Sequence, residues 1–173
     1  YMFAHFISPR IVAKFAGQVM DAGGSMGVGH SIGMAMGAQL ARPGKQVLTT
    51  VGDGGFGISG FDLESAVRFN LPAVFVLFNN SGWMNNVQQS PNYRGRLHLP
   101  IKDSWAMLPD IRYDKMFAEM GCHGEFVTEP EQIRPALERS FNSGKPAVIN
   151  VIPDSTISPP FLLRGLGGPP PGA

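Results

Sequence analysis

The stretch VLTTVGDGGFGISGFDLESAVRF, residues 47–69, joins an apolar run to an amphipathic segment through Gly-Asp-Gly-Gly-Phe-Gly. Gly52, Gly54 and Gly57 spell G-x-G-x-x-G between a predicted strand and a predicted helix, a pattern that lets backbone approach a dinucleotide pyrophosphate. Two features count against that ligand. Asp53 puts a carboxylate inside the turn where the pyrophosphate would sit, and the next predicted strand ends in Asn79-Asn80. A dinucleotide site needs an acid at that strand end to hold the ribose hydroxyl. The stretch reads as a strand–turn–helix unit shaped for an anion, with a carboxylate that needs its own explanation.

Working outward from it, residues 1–20 read as a loop plus a short helix, and QVMDAGG (18–24) as a short strand running into a glycine turn. SMGVGHSIGMAMGAQLA (25–41) carries Met26, Ile32, Met36 and Leu40 on a helical stripe, with small residues between them. KQVLTTV (45–51) reads as a buried strand. SGFDLESAVRF (59–69) reads as a helix with Ser59 as its N-cap and Phe61, Ala66, Val67 and Phe69 on one face. PAVFVLFNN (72–80) is almost continuously apolar, as a strand covered on both faces should be. The polar stretch SGWMNNVQQSPNYRGRLHLPIKDSW (81–105) is a long loop of the kind that carries function.

RYDKMFAEMG (112–121) predicts a helix stopped by Gly121, and EFVT (125–128) a short strand. PEQIRPALERSFNSG (130–144) predicts a helix with Pro130 near its start and Gly144 past its end. PAVINVIP (146–153) is the last strand. Strands alternating with helices give an α/β domain with a mainly parallel sheet flanked by helices. The domain is expected over residues 1–152. The Pro/Gly-rich tail, residues 153–173, is expected to act as a lid or to be disordered. Both GDGG and Asn-Asn fall at carboxyl ends of predicted strands, where ligands bind in such sheets.

Composition narrows the partners. A net charge of +1 gives no electrostatic footprint for nucleic acid or an anionic membrane. The single cysteine, Cys122, rules out an internal disulfide and a cysteine metal cluster, so a reducing, cytoplasmic setting is expected. No apolar run approaches the roughly 20 residues of a bilayer span. The start has no basic-then-apolar leader, and Tyr1 in place of Met implies a natural N-terminus upstream or removed.

A cation resolves the contradiction in the turn. Mg²⁺ takes oxygen ligands and is commonly held by one or two protein groups together with substrate phosphates. Asp53 offers a carboxylate and Asn80 an amide oxygen at the ends of predicted neighbouring strands, and the carbonyl of Gly82 can complete a protein face. Gly54 and Gly55 then let backbone N–H groups approach a diphosphate at a helix N-terminus.

GDGGFGISGFDLESAVRFNLPAVFVLFNN resembles the thiamine-diphosphate-binding motif, in which Gly-Asp-Gly is followed after a helix and a strand by Asn-Asn. The resemblance implies a thiamine-diphosphate-binding fold, the diphosphate-binding member of a pair of domains, with the chain starting inside it and without the first strand. DAGGSMGVGHSIGMAMGAQLARPGKQVL (21–48) is similar to the segment leading into that motif in the acetolactate-synthase-like branch. There an apolar residue wedges beneath the cofactor, a position matched by Met26. Gly24 matches the carbonyl that accepts from the cofactor's 4′-amino group, and Ser25 lies between them. GSMGVG and NNSGW look most like 2-hydroxyacyl-CoA lyases and oxalyl-CoA decarboxylases.

The resemblance implies thiamine diphosphate and Mg²⁺ as cofactors, with Gly24, Ser25, Met26, Gly52, Asp53, Gly54, Gly55, Asn80 and Gly82 about the cofactor. Asp53, Asn80 and Gly82 would hold the metal. It also implies an activating glutamate on a pyrimidine-binding domain, supplied by a missing part of the polypeptide or by another subunit, in a homo-oligomeric enzyme. No proton-transfer residue is assigned to this chain. The implied function is the diphosphate- and Mg²⁺-anchoring part of a carbon–carbon lyase or decarboxylase acting on a 2-hydroxyacyl-CoA or oxalyl-CoA type substrate. A 2-oxo-acid decarboxylase or acetolactate-synthase-like enzyme is the alternative. A non-catalytic binding module with the same fold is a rival of another class, and a nicotinamide dehydrogenase is weakened by Asn79-Asn80.

Other residues have plainer readings. Trp83 and Met84 would line a substrate channel or pack in the core, and Asn85, Asn86, Gln88 and Gln89 would meet a ligand or solvent. His30, near a helix start, would approach the cofactor or, as the plainer reading, pack or cap, and His98 and His123 are read as surface residues. Glu64 is read as a helix-surface carboxylate rather than the missing activator. Cys122 is read as an inert small apolar residue.

Overall fold

Strand formation follows the apolar runs. Val74–Phe78 and Ala147–Val151 consist of β-branched and large apolar residues except for Ala147 and Asn150, and both are buried along almost their whole length. The computed structural model describes residues 10–21, 27–82, 109 and 111–154. In chain order the elements are α1 (Ser31–Ala41), β1 (Leu48–Gly52), α2 (Asp53–Ser59), a 3-10 turn (Gly60–Asp62), α3 (Leu63–Arg68) and β2 (Val74–Phe78). Then come α4 (Tyr113–Glu119), β3 (His123–Val127), a 3-10 turn (Pro130–Gln132), α5 (Ile133–Asn142) and β4 (Ala147–Val151). The four strands form one sheet in the order β1-β2-β4-β3, and every pairing is parallel.

Two apolar layers cover the sheet. On one face Phe75, Leu77 and Val148 pack with Ile32 of α1, Phe56 of α2 and Phe117 of α4. On the other, Val74, Val76, Ala147 and Ile149 pack against Ala136 of α5, with Leu137 and Phe141 at the margin. The alternation along β2 assigns successive side chains to opposite layers. Phe56 meets Phe117 edge-on at 4.9 Å and Tyr113 at 5.6 Å, contacts worth about 0.5–1.5 kcal/mol each beyond area burial. This aromatic group fixes α2 and α4 against each other beneath the site.

Several sequence expectations shift in the structure. GDGG is not a free turn: Gly52 ends β1 in extended conformation, and α2 begins at Asp53. Ser59 does not cap the following helix; its hydroxyl donates to the carbonyl of Gly29. Phe61 is 73% exposed and Phe69 60% exposed, while Leu63 and Ala66 face the core. The short α2 and the 3-10 turn after it reset the helical phase, so the single-helix face does not form. α1 starts only at Ser31, because Gly29 (φ +89) turns the chain just before it. Its buried stripe is Ile32, Ala35 and Gln39 with Met36 beside them, and Leu40 is 64% exposed. Gln18–Asp21, the described part of the strand expected over 18–24, is exposed and outside the sheet.

Candidate functional site

The ends of β1 and β2 build the site. Gly52 is in register with Phe78, so Asp53 and Asn79 leave neighbouring strands side by side, about 4.8 Å apart by parallel-strand spacing. Asp53 is the first residue of α2, where a negative charge is favoured by the helix dipole. It is also 2% exposed. Its Oδ1 accepts from the Gly54 N–H at 2.9 Å, and its Oδ2 accepts from the Gly82 N–H at 2.8 Å. Burial pushes the Asp53 carboxyl above its ordinary range, against the opposing pull of the Gly82, Gly54 and Ser81 amides.

The turn beyond β2 is held by Asn79. Its Oδ1 accepts from the Ser81 N–H at 3.3 Å, an Asx turn that accommodates the left-handed Ser81 (φ +59). Its Nδ2 donates to the carbonyl of Ile111 at 3.1 Å. Asn79 is buried and turned inward, and Asn80 is half-buried at the strand end.

A second close approach lies beside α2. A Cβ on Gly29 would stand 3.1 Å from the Gly55 carbonyl oxygen and 3.1 Å from Ile58, so the turn before α1 presses directly on α2. Gly29 also needs its positive φ, which a side chain disfavours.

Of the sequence-predicted residues, Gly52, Asp53, Gly54, Gly55, Asn80 and Gly82 come together at this corner. Gly24, Ser25, Met26, Trp83 and Met84 lie outside the described residues, as do Asn85, Asn86, Gln88, Gln89, His98 and the tail from residue 155. His30 is exposed and its Nδ1–H donates to the Gly27 carbonyl. His123 pairs with Glu125 at 2.8 Å. Glu64 is exposed and bonded to Arg68 at 2.9 Å, the helix-surface role read from the sequence. Among the described residues no group of three or more His, Cys, Asp and Glu side chains could hold a metal alone. Among them, too, no helix is long and apolar enough to cross a membrane.

Sequence reasoning passed over the layer beneath the site. Asn150 interrupts an otherwise apolar strand buried at every position, a signal legible in PAVINVIP. Tyr113 and Asp114 open α4 and are both buried. Burial raises the Tyr113 phenol, with the Asp53 carboxylate adding to the effect. Asp114 is bonded by Arg112 at 2.9 and 2.6 Å. Burial works to raise its carboxyl, but Arg112 and then Asn150 bring it below the ordinary value.

The oxygen-rich donor set at the β1 and β2 ends suits a hard cation such as Mg²⁺, and the amides at the start of α2 suit an anion beside it. The family described as thiamine pyrophosphate enzyme, C-terminal TPP binding domain, matches residues 6–151. The chain is 36% identical over 158 residues to the acetolactate synthase large subunit of Mycobacterium tuberculosis, covering 91% of this chain and 28% of that protein. It is 40% identical over 140 residues to 2-hydroxyacyl-CoA lyase of Oryza sativa subsp. japonica, covering 78% of this chain and 23% of that one. Among solved structures it is similar to the thiamine diphosphate-dependent 4-hydroxybenzoylformate decarboxylase of Rhodococcus jostii RHA1. That match has TM-score 0.65 and 25% identity, over 75% of this chain and 24% of that one. The chain thus spans about a quarter of the length of the proteins it matches.

Proposed function

Because the chain belongs to the family of C-terminal, thiamine-pyrophosphate-binding domains of thiamine pyrophosphate enzymes, we propose that it anchors the diphosphate and Mg²⁺ in a thiamine-diphosphate-dependent carbon–carbon lyase or decarboxylase. The observation that carries the reading is the Asp53 carboxylate, buried at the joined ends of β1 and β2 and held by amides from both. A carboxylate in that setting is costly without a compensating positive charge, and a bound cation provides one.

In this reading Asp53, Asn80 and the Gly82 carbonyl hold Mg²⁺, and Gly54 and Gly55, having no side chains, let the start of α2 approach the diphosphate, while the Gly54 N–H itself is given to Asp53. Gly24, Ser25 and Met26 orient the pyrimidine, a role that rests on resemblance. Trp83 and Met84 line the way to the substrate. When bound, the cofactor supplies an electron sink for breaking a carbon–carbon bond beside a carbonyl. The chain's own residues anchor and orient it. The activating glutamate comes from a pyrimidine-binding domain in the rest of the polypeptide or in a second subunit of a cytoplasmic homo-oligomer.

For the substrate we propose a 2-hydroxyacyl-CoA or oxalyl-CoA type compound, supported by the match to the rice lyase. The longer match to the mycobacterial acetolactate synthase favours the second reading, a 2-oxo acid. The test is calorimetric titration with thiamine diphosphate, with and without Mg²⁺, on this chain and on the assembled enzyme. Metal-dependent binding is the expected result. Its absence in the assembled enzyme overturns the proposal.

A further inference from the structure

The Ile111 carbonyl receives two buried amides. Asn79, just past the end of β2, donates its Nδ2 at 3.1 Å, and Asn150, in β4, donates its Nδ2 at 3.0 Å. Asn150 Nδ2 also lies 3.3 Å from Asp114 Oδ1. Both asparagines are almost wholly buried, and Asn150 is 0% exposed.

Two further connections make this a continuous support. The Asn79 N–H donates to the Val151 carbonyl at 2.8 Å, which extends the β2–β4 ladder past the last paired residues. The other end of the Asn79 side chain accepts from Ser81 N–H, and Gly82 N–H reaches Asp53. A path of hydrogen bonds therefore runs from β4 through Ile111 and Asn79 to the turn holding Asn80 and Gly82.

Stability alone gives a poor account of Asn150. Its Oδ1 is buried with no hydrogen-bond partner among the described residues, and a leucine-sized apolar side chain at this inner strand position would avoid that penalty. Its register neighbours Leu77 and Phe126 are apolar, and its polar contacts are those its Nδ2 makes to the Ile111 carbonyl and to Asp114.

We propose that Asn150 is a positioning residue for the cation and diphosphate site: with Asn79 it clamps the Ile111 carbonyl and so sets the turn that presents Asn80 and Gly82. The proposal rests on the cation-anchoring reading above. Asn150 touches neither cation nor cofactor and acts through Asn79. Outer supports of metal ligands characteristically govern affinity by such second contacts.

The test uses the assembled enzyme and measures the Mg²⁺ concentration that half-saturates thiamine diphosphate binding, beside a thermal melt of each variant. Asn150→Ala removes the donor and opens a cavity. Asn150→Leu removes the donor while keeping the volume filled. Both are expected to raise half-saturating Mg²⁺ by about 10- to 100-fold, and the leucine variant is expected to do so with its melting temperature preserved. Combining Asn150→Leu with Asn79→Ala is expected to cost less than the product of the two single effects, because both act on one carbonyl. Half-saturation of Asn150→Leu within twofold of wild type overturns the proposal and leaves the anchoring function intact. A wild-type enzyme that binds thiamine diphosphate without regard to Mg²⁺ overturns both.

Discussion

The Gly82 N–H donates to Asp53 Oδ2 over 2.8 Å, joining the ends of β1 and β2 through residues 29 positions apart. The carboxylate thereby organises two loops at once. Gly54 occupies its other oxygen from the start of α2, so the side chain lies between the proposed diphosphate cradle and the proposed cation turn. Losing it should disturb both.

Asp53→Ala is expected to abolish Mg²⁺-dependent binding of thiamine diphosphate, lowering affinity by at least about 100-fold, as loss of a primary cation ligand should. It also leaves the buried Gly82 and Gly54 amides without their acceptor, a cost of about 1–3 kcal/mol each at most. Calorimetry and a denaturant melt of the same variant separate the two effects. Unchanged metal-dependent affinity removes Asp53 from the site.

The pH response of Asp53 has a definite sign. Burial raises its folded-state value above the unfolded one, so the folded protein binds more protons in the interval between them. Stability of the metal-free protein should therefore fall as pH rises through that interval. Mg²⁺ needs the carboxylate and should oppose the fall, while its own affinity should weaken on acidification. Metal-free melts of wild type and Asp53→Asn across the acid range check this. Parallel curves would show that the Asp53 carboxyl titrates alike in folded and unfolded chains.

Glu125 should behave in the opposite way. Arg139 lowers its carboxyl, burial opposes that, and His123 adds to the lowering. The stabilisation is present above the unfolded value and lost as pH falls through the depressed folded value. Arg139 is 56% exposed in this pair, so solvent screening keeps the contribution small. Glu125→Gln should lower the urea midpoint slightly at neutral pH and match wild type in strong acid.

Two glycines should respond oppositely to the same substitution. A Cβ on Gly124 in β3 would stand 2.4 Å from the Asp114 carbonyl oxygen, so Gly124→Ala should force β3 from α4 and cost about 1–3 kcal/mol. Gly33 lies within α1, where a Cβ would meet nothing within 4 Å among the described residues. Gly33→Ala should stabilise by about 0.5–1 kcal/mol. Denaturant midpoints for both variants test the packing of α4 on β3.

Cys122 should resist alkylation in the folded protein. It is buried, and burial pushes its thiol up to about 11, so little reactive thiolate exists near pH 8. Reaction with a thiol reagent should become fast only after unfolding. Rapid labelling of the native protein would show an exposed or activated thiol instead.

Much of this site was legible in the order of residues because strand ends are local events. An apolar run stopped by Gly-Asp-Gly, and a second stopped by Asn-Asn, place Asp53 and Asn80 at strand ends whatever lies between them. Parallel pairing then sets those ends together, as Gly52 and Phe78 show. Helix phase was less legible: α2 gives way to a 3-10 turn and then to α3, and with that break Leu63, not Phe61, joins Phe56 in the core.

The sequence by itself determined the alternation of strands and helices, the acid within the glycine turn, and the asparagines that close the next strand. Periodicity, backbone permissiveness and side-chain chemistry act there over a few residues. Only the tertiary structure decided that β4 lies between β2 and β3, and that Asn150 shares the Ile111 carbonyl with Asn79. Those relations join residues 32 and 39 positions apart. They exist because burial left one carbonyl and two amides with each other, and not water, as partners.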